Sequence, residues 1–153
     1  MGYTHYWNRD PQKESSDAFG RFALDVQQLV IVAQSKGIAL GDGFGENQPV
    51  FTEGYFSFNG SGELSHETFH WEAIPENPEW RAEEPTTFDF CKTNMKPYDA
   101  VVTAALIRAK VIYGEAIEVS SDGEWDANPE AWGDWQEGRE LYEEVFGVSA
   151  VKP

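Results

Sequence analysis

Four stretches of this chain hold side chains whose types and spacing suit chemistry. His66-Glu67-Thr68-Phe69-His70 fits the HExxH pattern of zinc hydrolases. On a helix that spacing turns both imidazoles to one face and leaves the glutamate to activate a metal-bound water. Here Phe69 and Trp71 alternate with His70 and Glu72 behind an Asn-Gly pair, which is strand periodicity. A strand also brings His66 and His70 to one face, with His5 as a third nitrogen. Ordinary strand positions are nevertheless the expectation, and no metal ligand is assigned. Residues 88–99 are the densest mixture, with two lysines, a thiol, a hydroxyl, a phenol and a carboxylate leading into a helix N-terminus. Free N–H groups and the dipole favour anions there. Lys92, Thr93, Lys96, Tyr98 and Asp99 are therefore expected to hold an anionic ligand. The alternative is that Thr93 or Asn94 caps the helix and the lysines pair with nearby acids. Cys91 has no sequence-adjacent histidine as a base and is expected to be buried. In the glycine-rich stretch 41–46 and the turn Ser120-Ser121-Asp122-Gly123, Asp42 and Asp122 suit ribose hydroxyls or exocyclic amines. Each equally suits a local turn.

Charge narrows the classes of partner. Acids outnumber bases 27 to 11, for a net charge of -16. That disfavours direct nucleic-acid binding, which needs basic surface to displace counterions from phosphates. Residues 115–144 contain Arg139 as their one base among many acids. Such a run is either a solvated surface or a nucleic-acid mimic presented to a basic host protein. Aromatics reach 14% and supply stacking surface for a planar ligand. The single cysteine excludes an internal disulfide and a Cys-only metal site, and suits a reducing cytoplasm. The opening lacks the basic start and apolar run of a signal peptide, and no apolar stretch approaches the roughly 20 residues that span a bilayer. A cytoplasmic protein with no membrane partner is expected.

These groups need elements to position them. With 153 residues, 41% of them hydrophobic, one domain over residues 1–153 is expected. Residues 3–7 alternate and predict a first strand. Residues 16–36 predict a helix capped by Ser15 or Ser16 and stopped by Gly37, with Phe19, Phe22, Val26, Leu29, Val30 and Ala33 in one stripe. Residues 37–49 read as a loop. Residues 54–58 and 67–72 read as two strands around an Asn-Gly turn, and 74–87 as an irregular excursion. A helix over 97–113 buries Val102, Ala105, Leu106, Ala109 and Ile112, with Pro97 in its first turn. A strand over 116–120 and a helix over 135–146 follow. The expected fold is α+β: three helices packed on one face of a small, mainly antiparallel sheet.

The strings MGYTHYW, FNG, HETF, FCKT-x-x-KPYD and VSSDG resemble those of a family of small phage and actinobacterial proteins, over nearly the whole chain. The resemblance implies a phage or bacterial cytoplasmic setting and carries no activity. By analogy with that setting, the expected function is non-catalytic binding of a small anionic or nucleotide-like ligand, as in counter-defence proteins that sequester nucleotide immune signals. No cofactor or catalytic residue is assigned. The alternatives are an acidic inhibitor of a basic host protein and, behind it, a metal-dependent hydrolase or a Cys91 thiol enzyme. A homo-oligomer is compatible with all of these.

Overall fold

The computed structural model describes residues 3–131 and 133–153. Alternation at the start of the chain produces β1 (Thr4–Arg9), which turns His5, Trp7 and Arg9 inward. Helix α1 (Ala18–Ser35) follows, burying Phe22, Val26, Leu29, Val30 and Ala33. Its N-cap is Asp17, whose carboxylate accepts from Ser15 Oγ rather than from a helical N–H, so neither Ser15 nor Ser16 caps by side chain. Two short strands, β2 (Leu40–Gly41) and β3 (Val50–Phe51), lie at either end of the glycine-rich segment expected to be a loop.

The expected hairpin forms from β4 (Tyr55–Gly60) and β5 (Phe69–Glu72), but Asn59-Gly60 is not its turn. Asn59 is 2% exposed and its amide holds the longer connection in place: Oδ1 accepts from the Gly60 and His66 N–H groups, and Nδ2 donates to the His66 carbonyl. The stretch 88–99 overlaps β6 (Thr87–Lys92), a strand not expected from the sequence, whose first residue closes the 74–87 excursion. Helix α2 (Asp99–Tyr113) then leads to β7 (Ile117–Ser121) and α3 (Gln136–Phe146).

The architecture is α+β, as expected, with the strands divided between two antiparallel sheets. One has the order β6-β1-β7; in the other, β4 pairs with β2, β3 and β5. Aromatic rings join the two. Trp7 stacks on Trp71 at 5.5 Å between centroids, Phe22 meets Trp71 at 4.8 Å, and the Trp71 indole donates to Tyr113 Oη at 3.1 Å. Much of the aromatic surplus is therefore core rather than ligand-stacking surface. Arg9 threads this core, 2% exposed, paired through two nitrogens to Glu14 and lying over the rings of Trp71 and Tyr113.

Helix α2 is packed between α1 and α3 and against β7, so eight of its first nine residues, Ala100–Ile107, are buried on all sides rather than along one stripe. Arg108 ties the three helices, donating to Asp25 at 2.7 Å and to Tyr142 Oη at 3.2 Å. At Gly138 of α3 a Cβ would overlap the Thr103 hydroxyl, so glycine permits the close approach of α3 to α2. No helix among the described residues is long and apolar enough to cross a membrane.

Candidate functional site

Sheet register creates the most unusual arrangement in the molecule. In the β1–β7 ladder His5 lies directly opposite Ser121, so their side chains share the inward face. The first residue of α2, Asp99, comes down over the same point. His5 is wholly buried. Its Nδ1 lies 2.7 Å from Ser121 Oγ, and its Nε2 2.6 Å from Asp99 Oδ1. The same Asp99 oxygen accepts from the buried Thr93 hydroxyl at 2.6 Å. Ser121 Oγ accepts from the Gly123 N–H at 2.9 Å and from the Trp135 indole N–H at 3.1 Å.

These partners fix the hydrogens. A carboxylate oxygen only accepts, so His5 Nε2 carries a proton toward Asp99. Both lone pairs of Ser121 Oγ are filled by N–H groups, so its own hydrogen points to His5 Nδ1. The result is a continuous chain, Ser121 to His5 to Asp99, in which every donor has an acceptor. Rings wall it in: Tyr3 and Trp135 meet the imidazole edge-on at 5.0 and 5.3 Å. Burial, with the nearby Asp99 carboxylate second, pushes the Tyr3 phenol well above its ordinary range. At Gly123 a Cβ would overlap the Tyr3 hydroxyl, so the turn after β7 needs glycine to close over it.

The chain opens to solvent at both ends. Ser121 lines a cleft of about 280 Å³ shared with Trp125, Trp135 and Lys152. Asp99 lines a second, of about 430 Å³, with Tyr3, Met95, Lys96, Asp134 and Glu137. Beside the second, Asn94 and Met95 both adopt left-handed backbone, with φ of 53° and 59°. Such strain is held in place by surrounding structure, here by the Thr93 and Asn94 N–H groups that both donate to the Tyr3 carbonyl.

The residues singled out from sequence fall in several places. Lys96 and Asp99 share the second cleft, where Asp99, Asp134 and Glu137 outnumber the one lysine. The N–H groups expected to be free at the helix start are occupied: those of Asp99, Ala100 and Val101 donate to the carbonyls of Lys96, Pro97 and Tyr98. Thr93 and Tyr98 are fully buried, and Tyr98 Oη donates to the Glu67 carbonyl at 2.5 Å. Lys92 stands on β6 with its backbone N–H bonded to Glu67 Oε1. Asp122 holds the edge of β1, accepting from the Thr4 N–H and Tyr6 Oη. Asp42 organises its own loop through the Phe44 and Glu46 N–H groups and the Asn47 amide, and the Asn47 bond leads in drawing its carboxyl below the usual range.

The HETFH residues do not converge. His66 is exposed ahead of β5, His70 stacks on Tyr55 and reaches Glu72, and both nitrogens of His5 are committed elsewhere. Among the described residues no group of three His, Cys, Asp or Glu forms a metal-ligand set. Cys91 is buried, as expected, and burial raises its thiol far above the ordinary range, which keeps it from acting as a thiolate. From the sequence, His5 stood only as a third metal nitrogen and Ser121 only as part of a turn, while Trp125, Trp135 and Lys152 were not singled out as site residues. One signal was present: the alternation of β1 places His5 on the face of Trp7, and a core histidine needs a partner for each nitrogen. Compared with known proteins, the chain matches no family model, no curated protein and no solved structure.

Proposed function

We propose that the protein binds a small, planar, anionic molecule of the nucleotide type in the cleft beside Ser121. The carrying observation is the composition of that cleft: two indoles, Trp125 and Trp135, for a planar group, Lys152 for a negative charge, and the Ser121 hydroxyl held by a buried hydrogen-bond chain. Such a ligand meets a rigid polar floor, because His5 and Asp99 fix Ser121 from behind. Binding of this kind needs no catalytic step, and sequestration of a nucleotide signal is the role it serves. A thermal-shift panel of linear and cyclic nucleotides tests it. A ligand at 100 times its Kd stabilises by about 2.7 kcal/mol, which for a domain of this size raises Tm by roughly 5–10 °C. Replacing Trp125 with Ala should remove the shift. A panel that leaves Tm unchanged would overturn the reading.

A second reading rests on the acidic run. From Glu115 to Glu144 nearly every acid is exposed, Asp134 being half-buried. This surface supports an inhibitor that offers a basic host protein a substitute for nucleic acid. Capture of a basic partner that weakens steeply with salt is the expected behaviour, and capture unchanged at high salt would count against it.

A further inference from the structure

We propose that Ser121 is a nucleophile that accepts acyl groups from donors with anionic leaving groups, such as aryl esters and acyl phosphates. The proposal rests on the placement of a ligand in the Ser121 cleft. It goes further in assigning chemistry to the hydroxyl at the floor of that cleft.

Three observations carry it. Ser121 Oγ directs its hydrogen at an imidazole nitrogen 2.7 Å away, within the range for proton transfer to a general base. The far nitrogen of that imidazole is 2.6 Å from Asp99, a positioning residue whose carboxylate fixes the tautomer and stabilises the imidazolium that forms. The Gly123 and Trp135 N–H groups hold Oγ in place, and the Trp135 indole, on the cleft itself, is the donor able to turn from Oγ to the charge that develops on the carbonyl oxygen.

The burial of His5 selects the substrate. The ring is 0% exposed, so Ser121 stands between it and the cleft, and a departing alkoxide has no route to its proton. A leaving group that is stable as an anion needs none, and Lys152 on the same cleft favours its charge. In the acylation step the Trp135 indole N–H releases Oγ, and the lone pair so freed bonds to the carbonyl carbon while the Oγ proton passes to His5 Nδ1. The carbonyl then re-forms, and the bond to the phenolate or phosphate breaks with its electron pair. Water later attacks the acyl-serine and releases one proton to solvent, and Ser121 leaves with the proton held on His5. The sum is acyl donor plus water giving acid, leaving-group anion and a proton.

The test incubates the full chain with p-nitrophenyl acetate and follows p-nitrophenolate release, intact mass and peptide mapping. One acetyl group per chain on Ser121 is expected. Ser121→Ala should show no acetylation at that peptide, and folded His5→Gln should acetylate at least 100-fold more slowly, the scale of a lost general base. Far-UV circular dichroism checks both folds. Should His5→Gln fail to fold, the wild-type map decides alone. The absence of both an adduct and any p-nitrophenolate release that Ser121→Ala abolishes would overturn the proposal, as would acetyl on Lys152 with Ser121 untouched. Nucleotide-induced stabilisation is read separately. A protein that is stabilised by nucleotide and never acetylated loses only the nucleophile, and one that is acetylated without such stabilisation loses only the nucleotide ligand.

Discussion

Replacing Asp99 with Ala removes the acceptor on which two wholly buried donors depend. His5 Nε2 and Thr93 Oγ1 each lie 2.6 Å from the same carboxylate oxygen, and both residues are 0% exposed, so the one route by which water can reach them is the cleft that Asp99 itself lines. A stranded buried donor costs about 1–3 kcal/mol, which makes the pair worth about 2–6 kcal/mol. Asp99 also opens α2, where a carboxylate interacts with the helix dipole for about 0.3–1 kcal/mol more. For a domain of this size that corresponds to a fall in Tm of roughly 5–28 °C. Asp122→Ala is the control. Its carboxylate also accepts two bonds, but it is exposed, so water substitutes and the expected loss is about 1 kcal/mol. Urea titrations followed by tryptophan fluorescence and far-UV circular dichroism give both values. Asp99→Ala unfolding within about 0.5 kcal/mol of wild type, or equal costs for the two variants, would mean that the Asp99 carboxylate does not satisfy these buried donors.

The remaining expectations concern other parts of the molecule. Glu14→Ala leaves Arg9 charged and unpaired in the core and should cost about 3–5 kcal/mol by chemical denaturation, since removing one partner of a buried pair is severe. Lys92→Ala with Lys96→Ala should change stability by less than about 0.5 kcal/mol, because neither ammonium is in an ion pair among the described residues; nucleotide-induced stabilisation should also persist if the ligand sits beside Ser121. Alkaline pH should destabilise the fold. Burial leads in raising Cys91, Tyr3, Tyr98 and Tyr113, so above about pH 9–10 the unfolded chain loses protons that the native chain keeps. Stability is then complete below that range and falls above it, and tyrosinate absorbance should rise together with unfolding. Gly123→Ala drives a methyl onto the Tyr3 hydroxyl and should cost about 1–3 kcal/mol while deforming the Ser121 cleft.

The three helices could be read directly, because apolar residues at helical spacing and terminal glycines such as Gly37 and Gly114 are local signals. Strand β6 was harder: Asp89 and Phe90 are both exposed and only Cys91 is buried, so its apolar pattern does not alternate. Asn59-Gly60 misled for a different reason, since a buried amide that holds a loop has the same two letters as a tight turn. The site was the least legible part. His5 is separated from Asp99 by 94 positions and from Ser121 by 116, so no local spacing joins them. Only the pairing of β1 with β7 brings the serine opposite the histidine. The lysines before α2 carried the stronger local pattern, but the N–H groups that would have made an anion site there are closed onto carbonyls.

The tryptophan indole N–H signals in a two-dimensional proton–nitrogen NMR spectrum, recorded while a nucleotide is added, report on ligand binding beside Ser121. Trp125 and Trp135 line the Ser121 cleft, and the Trp135 N–H is bonded to the Ser121 hydroxyl. Trp71 donates to Tyr113 deep in the core and serves as the internal reference. The expected result is movement of the Trp125 and Trp135 signals together, with Trp71 unchanged. Saturating nucleotide that leaves both cleft indoles where they were would contradict a ligand site beside Ser121.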